Sequence, residues 1–262
     1  MPFTVTPATF LRSLMVAGAL AALCGCQTKI LPDPNDPATV TAGDRPDAIH
    51  RLLSATGNTL GERLAKREID ESQFESMKTD YAASLVKEMK VDPTKVDPAK
   101  AWEVGDAYRA AKEWSTAAEF FKISVPYAKK RNDYDRFVND SLWLAECQCH
   151  LKKVPDAIEN VRATFDSPPA AKAPILTGTL LCVVPAGEGQ GDDVQLGKLL
   201  QDAVGQSMQT IVDPKTDAGK SFLIARTVQV RNALGLAVDL FRKAGRSDLA
   251  NAAEQRRLSQ FS

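Results

Sequence analysis

The sequence is poor in histidine and in aromatic residues, and it carries no excess charge of either sign. Only two histidines, His50 and His150, occur among the 262 residues, and aromatic residues make up 6% of them. Histidine, the side chain that most often serves in acid–base catalysis, is therefore scarce, which restricts the catalytic options. The 33 basic side chains are matched by 33 acidic ones, so the basic surface expected of a nucleic-acid-binding protein is missing. We expect no nucleic-acid partner.

The apolar run near the N-terminus is short. It covers Ser13–Leu23 and follows a single charged residue, Arg12. About 10 apolar residues are too few to span a membrane, which needs about 20, but they suit the core of a signal peptide. We therefore predict that residues 1–25 are a signal peptide and are removed.

The end of this segment resembles the lipobox of bacterial lipoproteins. Leu23 stands three positions before Cys26 and the small residue Gly25 stands directly before it. Cys24 fits less well as the acceptor, because the bulky Leu23 would occupy the cleavage position. The resemblance implies a diacylglyceryl thioether on Cys26 and an acylated amino group, for example with palmitate. The alternative is an ordinary secretory signal that leaves Cys26 as a free thiol.

The residue after the cysteine bears on localisation. In the lipoprotein class, Gln27 rather than aspartate favours the outer membrane of a double-membraned bacterium, on its periplasmic side or its surface. In a single-membraned host the same lipid would hold the protein on the outer face of the plasma membrane. Residues 26–46 contain four prolines and no helical periodicity, and we predict a lipidated cysteine followed by a flexible tether.

Helical periodicity dominates from Asp47 onward, and the alternation typical of strands is nearly absent. Asp70 and Gln73 form a capping-box pattern with Ile69 as the hydrophobic staple. Asp133 is predicted to cap a further helix, and Pro155 is well placed at the start of the next. The sequence therefore predicts an all-α domain over residues 47–262.

Residues 98–131 resemble a tetratricopeptide repeat. The pattern consists of Val104, Gly105, Tyr108, Ala117, Phe121 and Ser124. A second match covers residues 138–165 with a shift of 40, and a degenerate terminal pair covers residues 231–262. The resemblance implies a short α-solenoid of tetratricopeptide-like helix pairs, and we expect residues 166–220 to form an irregular insert.

The resemblance also implies a concave surface that binds a protein or peptide partner. The candidate positions are Trp102, Asp106, Arg109, Leu142, Glu146, Cys149 and His150. Nine of the 17 aromatic residues lie in the stretch from Trp102 to Trp143, which supports a specific surface there. The alternative is that Trp102 packs on the preceding helix.

The sequence offers no convincing metal or cofactor site. In the run from Cys147 to His150 the two thiols are two positions apart, so on a helix they point about 200° away from each other. We expect small buried side chains; a disulfide between Cys182 and either Cys147 or Cys149 is the alternative. The segment at Gly219 lacks the first glycine of a phosphate-binding loop. Neither Gly-x-Ser-x-Gly nor His-Glu-x-x-His occurs. We therefore predict no catalytic residue, no metal and no cofactor.

These features favour a non-enzymatic lipoprotein whose helical repeats bind protein partners at the cell envelope, as a scaffold or an assembly factor. The main alternative is an envelope enzyme or small-molecule-binding protein that uses residues 166–220. A purely structural envelope component without a discrete partner is a further alternative.

Overall fold

The computed structural model describes residues 40, 41, 43–89 and 91–260. The predicted signal peptide, Cys26 and most of the predicted tether lie outside these residues. The described part of the chain is all-α: it contains eleven α-helices and no strand. This confirms the fold class expected from the periodicity of the sequence.

The helices follow one another with short connections. They are α1 (Arg45–Ala65), α2 (Glu71–Met89), α3 (Ala101–Ala110), α4 (Trp114–Lys130), α5 (Tyr134–His150), α6 (Val154–Arg162), α7 (Ala173–Gly178), α8 (Val184–Gly187), α9 (Asp193–Met208), α10 (Asp217–Lys243) and α11 (Ser247–Ser259). A π-helical turn, Thr179–Val183, joins α7 to α8. The first helices of successive pairs lie side by side, because α1 contacts α3, α3 contacts α5, α5 contacts α7 and α8, and α7 contacts α10.

The turns between paired helices share one geometry. The residue that follows the helix cap adopts a left-handed backbone at Arg67, Lys112, Asn132, Lys152 and Gly245. The next amide donates a hydrogen bond to the carbonyl five residues earlier, as in the Schellman motif. Each such turn reverses the chain within three residues or little more, so consecutive helices pack as antiparallel pairs.

The predicted helix starts are present. The amide of Gln73 donates to Asp70 Oδ1 at 2.8 Å, and the amide of Asp70 donates to Gln73 Oε1 at 3.0 Å. This reciprocal pair is the capping box, and Ile69 beside it is buried. Asp133 caps α5 by accepting from the amide of Arg136 at 3.2 Å.

The expected irregular insert is largely helical. Residues 166–220 contain α7, the π turn, α8, α9 and the start of α10. The stretch Pro169–Gly187 is long and apolar enough to cross a membrane by length and composition, but half of its most apolar window is buried inside the molecule. Neighbouring helices cover it on several sides, so it lacks the single apolar stripe that identifies a surface helix in a sequence.

Close contact between helices depends on glycine at several positions, of which Gly105 and Gly197 are two. A Cβ atom added to Gly105 would lie 3.0 Å from the ring of Phe121, so α3 and α4 approach each other closely there. A Cβ atom added to Gly197 would lie 2.6 Å from the ring of Phe241, a contact between α9 and α10. These rings fill the space that the glycines leave.

Candidate functional site

Helices α1, α3 and α5 bring a set of charged and aromatic side chains together, which we call the inner cluster. It consists of His50, Trp102, Asp106, Arg109, Arg136, Trp143 and Glu146. Trp102, Asp106 and Arg109 are four and three residues apart and therefore share one side of α3. Four of the seven predicted partner-binding residues belong to this cluster.

Arg109 is the centre of the ion pairs. Its guanidinium lies 2.7 Å from Asp106 Oδ1 and 3.1 Å from Glu146 Oε2, so it joins α3 to α5. His50 Nδ1 lies 3.5 Å from Asp106 Oδ2 and adds a contact from α1. Burial alone would raise the pKa of Asp106, but His50 and Arg109 outweigh it and lower that pKa to about 2. Asp106 is therefore ionised at neutral pH.

Arginine and tryptophan side chains alternate through the cluster. The Arg136 guanidinium lies 3.5 Å from the ring centre of Trp102 and 5.9 Å from that of Trp143. The Arg109 guanidinium lies 5.0 Å from the ring centre of Trp143. Arginine over an aromatic face is a favourable cation–π arrangement. The stacking holds both indole rings in fixed orientations.

A buried acid supports Arg136. Asp140 Oδ1 lies 3.3 Å from Arg136 Nη1, and the Asp140 side chain is fully buried. Burial is the main reason that the pKa of Asp140 is raised to about 6, although Arg136 opposes this shift. Arg136 is thus fixed by a carboxylate on one side and by Trp102 on the other.

A second acidic group lies between α1 and α3. Burial, followed by the hydrogen bond with Asp47, raises the pKa of Glu103 to about 8. The same hydrogen bond is the main cause of a lowered pKa at Asp47, which also lies 2.9 Å from Lys100 Nζ. At neutral pH Glu103 is therefore the protonated partner and Asp47 the ionised one.

Two clefts flank the inner cluster. One has a volume of about 350 Å³ and is lined by Trp102, Ser124, Tyr127, Arg131 and Arg136 among others. The other has a volume of about 320 Å³ and is lined by Lys78, Arg109, Trp114, Glu146 and His150 among others. In the second cleft the rings of Trp114 and His150 stack with their centres 3.9 Å apart. Each cleft offers aromatic faces beside charges of both signs.

Two predicted partner-binding residues are wrong, because Leu142 and Cys149 are buried in the core. A Cβ atom added to Gly178 would lie 2.7 Å from Leu142, and one added to Gly187 would lie 3.1 Å from the Cys149 sulfur. The reason is that α7, the π turn and α8 cover this side of α5. Neither side chain can meet a partner from solvent.

The remaining predicted residues are accessible or partly so. His150 is exposed at the rim of the second cleft. The ring centre of Trp102 lies 4.7 Å from that of His50, so Trp102 also packs on α1. The alternative interpretation named the helix directly before α3, which is α2. Sequence reasoning missed His50, Arg136 and Trp143. The spacing of Arg136, Trp143 and Glu146 along α5 was the available signal.

The cysteines of the described residues are free thiols. Cys147 and Cys149 are buried, and Cys182 is partly so. This agrees with the expectation of small buried side chains. Burial raises the pKa of both Cys147 and Cys149 to about 12. Within the described part of the chain no group of three or more histidine, cysteine or acidic side chains could hold a metal ion.

Comparison with known proteins assigns no family. No protein-family model matches the chain, and no curated protein matches it. Among solved structures it is similar to that of BtubC (BKLC) from P. vanneervenii, with a TM-score of 0.38 and 15% sequence identity. That similarity covers 96% of this chain and 88% of the other. A similarity of this size supports no statement about function.

Proposed function

We propose that this protein is a non-enzymatic, membrane-anchored lipoprotein of the cell envelope. Its helical domain, which resembles tetratricopeptide repeats, binds a protein partner as a scaffold or an assembly factor. The observation that carries the proposal is the inner cluster of α1, α3 and α5 with a cleft on either side. Function is argued from this site, since a helical fold by itself implies no particular activity.

The inner cluster is suited to binding because it is ordered before a partner arrives. Trp102 and Trp143 are held by arginine stacking, so a partner that packs on their exposed edges loses little side-chain entropy. Tryptophan and arginine are also the side chains that most often dominate protein interfaces. The arginines Arg109 and Arg136 are already paired with acids. Recognition therefore depends on aromatic contact and shape more than on net charge.

The alternative of an enzyme or small-molecule site in residues 166–220 has less support. The helices of this region fill the main core with fully or almost fully buried side chains, including Ile175, Leu176, Val184, Leu199 and Leu200. A ligand site there would need space that these side chains occupy. A binding protein without a reaction is the interpretation that we retain.

Membrane anchoring is tested by replacing Cys26. The Cys26→Ser variant should incorporate no labelled palmitate and should move from the membrane fraction to the soluble fraction. Cys24→Ser is the matched control and should stay lipidated and membrane-bound. If the Cys26→Ser variant remains in the membrane fraction, or if Cys24→Ser releases the protein, the proposed anchor is wrong.

Partner binding is tested by photo-crosslinking in intact cells. A photoreactive amino acid is placed at Tyr127 in one cleft, at His150 in the other, and at Lys198 on the exposed side of α9 as a control. At least one cleft position should give an adduct of discrete mass that the control position does not give. Identical adducts from all three positions, or none from the clefts in folded protein, would contradict binding at this surface.

A further inference from the structure

A fully buried acid lies behind one of the arginines of the inner cluster. Asp140 Oδ1 lies 3.3 Å from Arg136 Nη1. The other oxygen, Asp140 Oδ2, is buried without a hydrogen-bond partner among the described residues. A carboxylate that serves only to stabilise the fold commonly has both oxygens hydrogen-bonded. The ionised form of Asp140 therefore depends on Arg136.

Arg136 connects this buried acid to the surface. Its side chain is partly exposed, and its guanidinium lies 3.5 Å from the ring centre of Trp102. Arg136 and Trp102 both line the cleft of about 350 Å³ that also contains Tyr127. Asp140, Arg136 and Trp102 thus form a series that leads from the core to the wall of a cleft. A change at the buried end can reach the open end through Arg136.

The surroundings of Asp140 offer a partner to each of its protonation states. Burial raises its pKa to about 6, with a further rise from Asp133 on α5, while Arg136 and the hydroxyl of Ser124 on α4 act against this rise. Ser124 donates to the carbonyl of Phe121, so its oxygen can still accept a hydrogen bond from a protonated acid. The ionised acid has Arg136, and the neutral acid has Ser124.

The other elements that pack against α5 add few charges near this acid. On α3, Glu103 is protonated at neutral pH, and Asp106 pairs with Arg109. Lys172, which precedes α7, donates to two glutamine side chains. The charged side chains of α4 and α6 are exposed, and α7, the π turn and α8 carry none. The contact between Asp140 and Arg136 is therefore the main one that changes when Asp140 gains a proton.

We propose that Asp140 is a positioning residue whose proton controls the shape of the cleft at Tyr127. Ionised Asp140 holds Arg136 against Trp102, because a charge-assisted hydrogen bond is about twice as strong as a neutral one. Protonation removes the ion pair, so the partly exposed Arg136 leaves Trp102 for water. The indole then loses its cation–π contact and its fixed orientation.

The consequence for binding rests on the proposed function. A partner that packs on Trp102 meets an ordered surface at neutral pH and a loosened one in acid. Binding at this cleft should therefore weaken as the pH falls through about 6.

The first test reads the tryptophans directly and needs no partner. Trp114→Phe leaves Trp102 and Trp143 as the two tryptophans of the full chain, which is purified in detergent. As the pH is lowered from 8 to 5, their near-ultraviolet circular dichroism should decrease and acrylamide should quench their fluorescence more efficiently. Both signals should change with a midpoint near pH 6.

Two substitutions in the same background identify the groups responsible. Asp140→Asn keeps the shape of the side chain but cannot ionise, so it should show the acid signal at both pH values without a transition. Arg136→Gln should also lack the transition, because the connection to Trp102 is lost. Far-ultraviolet circular dichroism at both pH values checks that each variant is folded.

His50→Asn is the control for a different titrating group. The ring centre of His50 lies 4.7 Å from that of Trp102, and histidine is the side chain that most often changes charge between pH 5 and 8. The transition should persist in His50→Asn. The proposal is overturned if the background protein shows no transition, if His50→Asn abolishes it, or if Asp140→Asn retains it.

Photo-crosslinking from Tyr127 in isolated cell envelopes, whose pH can be set, separates this inference from the proposed function. The adduct should form at pH 8, diminish at pH 5, and be weak at both pH values in Asp140→Asn. An adduct that depends on neither pH nor Asp140 would contradict the control of binding. If folded protein gives no adduct from either cleft, the proposed function is wrong, and the tryptophan signals still decide whether Asp140 controls the cleft.

Discussion

The carboxyl group of Glu103 lies between α1 and α3 and shares a hydrogen bond with Asp47. Its pKa is raised to about 8 in the folded protein, so the native state retains a proton that the unfolded chain releases above about pH 4.5. The stability that protonated Glu103 contributes is fully present below the unfolded pKa. It is lost as the pH rises towards 8.

We therefore predict that Glu103→Gln changes stability differently at the two ends of this range. Glutamine can keep a hydrogen bond to Asp47 and has no charge to bury. At pH 8 the variant should be more stable than the wild type by about 1 to 2 kcal/mol, after allowance for solvent screening of a half-buried group, and at pH 4.5 the gain should be small. Urea unfolding at both pH values measures the difference.

The control for this prediction is Glu159→Gln on the exposed surface of α6. It should alter the free energy of unfolding by a similar small amount at both pH values. An equal effect of Glu103→Gln at pH 4.5 and pH 8 would show that Glu103 does not retain its proton in the folded protein.

Two glycines of α9 show how the packing of one element depends on single positions. A Cβ atom at Gly197 would lie 2.6 Å from the buried ring of Phe241, whereas one at Gly205 would meet nothing within 4 Å. Gly197→Ala should destabilise the protein by about 1 to 3 kcal/mol, because the ring of Phe241 must move within a close-packed core. Thermal or urea unfolding provides the measurement.

Gly205→Ala is the matched control on the same helix. It should stabilise the protein by about 0.5 to 1 kcal/mol, since alanine is the better helix former and its methyl group has room. If both substitutions are stabilising, α9 and α10 are not in contact at Gly197.

The left-handed turns explain why the ends of the helices can be predicted from the sequence only in part. Gly245 marks its turn by residue type, but Lys112, Asn132 and Lys152 occupy the same backbone position in theirs. A lysine gives no local signal for a left-handed backbone, which costs a non-glycine residue about 1 to 2 kcal/mol. Those turns are imposed by the packing of the helices that they connect.

At the scale of the whole molecule, the apolar stretch Pro169–Gly187 packs partly into the core, although its length and composition also suit a membrane span. Ile175 is fully buried, while Leu181 in the same stretch is 63% exposed. We predict that Ile175→Asp costs more than about 4 kcal/mol or prevents folding, because it buries an unpaired charge. Leu181→Asp should change stability by less than about 1 kcal/mol, because its carboxylate stays in water.

The yield of folded protein and its thermal unfolding distinguish these two substitutions. A membrane-spanning segment would tolerate neither carboxylate at its centre. Comparable damage from Leu181→Asp would therefore show that this side of the segment is not in contact with water.

The candidate site was predictable only in part. The resemblance to tetratricopeptide repeats implied that Trp102, Asp106 and Arg109 lie on one surface with Glu146. The structure brings all four into the inner cluster. The same resemblance placed Leu142 and Cys149 on that surface, but both are buried because a repeat pattern does not show which later helices cover α5. His50 was missed because its partners Trp102 and Asp106 are far away in the sequence. Arg136 was missed because its closest ring contact, Trp102, lies on another helix, although Asp140 and Trp143 follow it on α5.

The amino-acid sequence by itself determined the local structure. Helical periodicity, the capping box at Asp70 and Gln73, and the cap at Asp133 depend on residues within a few positions of one another, so they can be read without knowing the fold. The signal peptide and the lipid on Cys26 stay predictions from the sequence. Only the tertiary structure decided which side of α5 faces the core and which faces the inner cluster. That choice depends on α7 and α8 packing against α5, and on Arg109 meeting Glu146 across 37 residues of sequence.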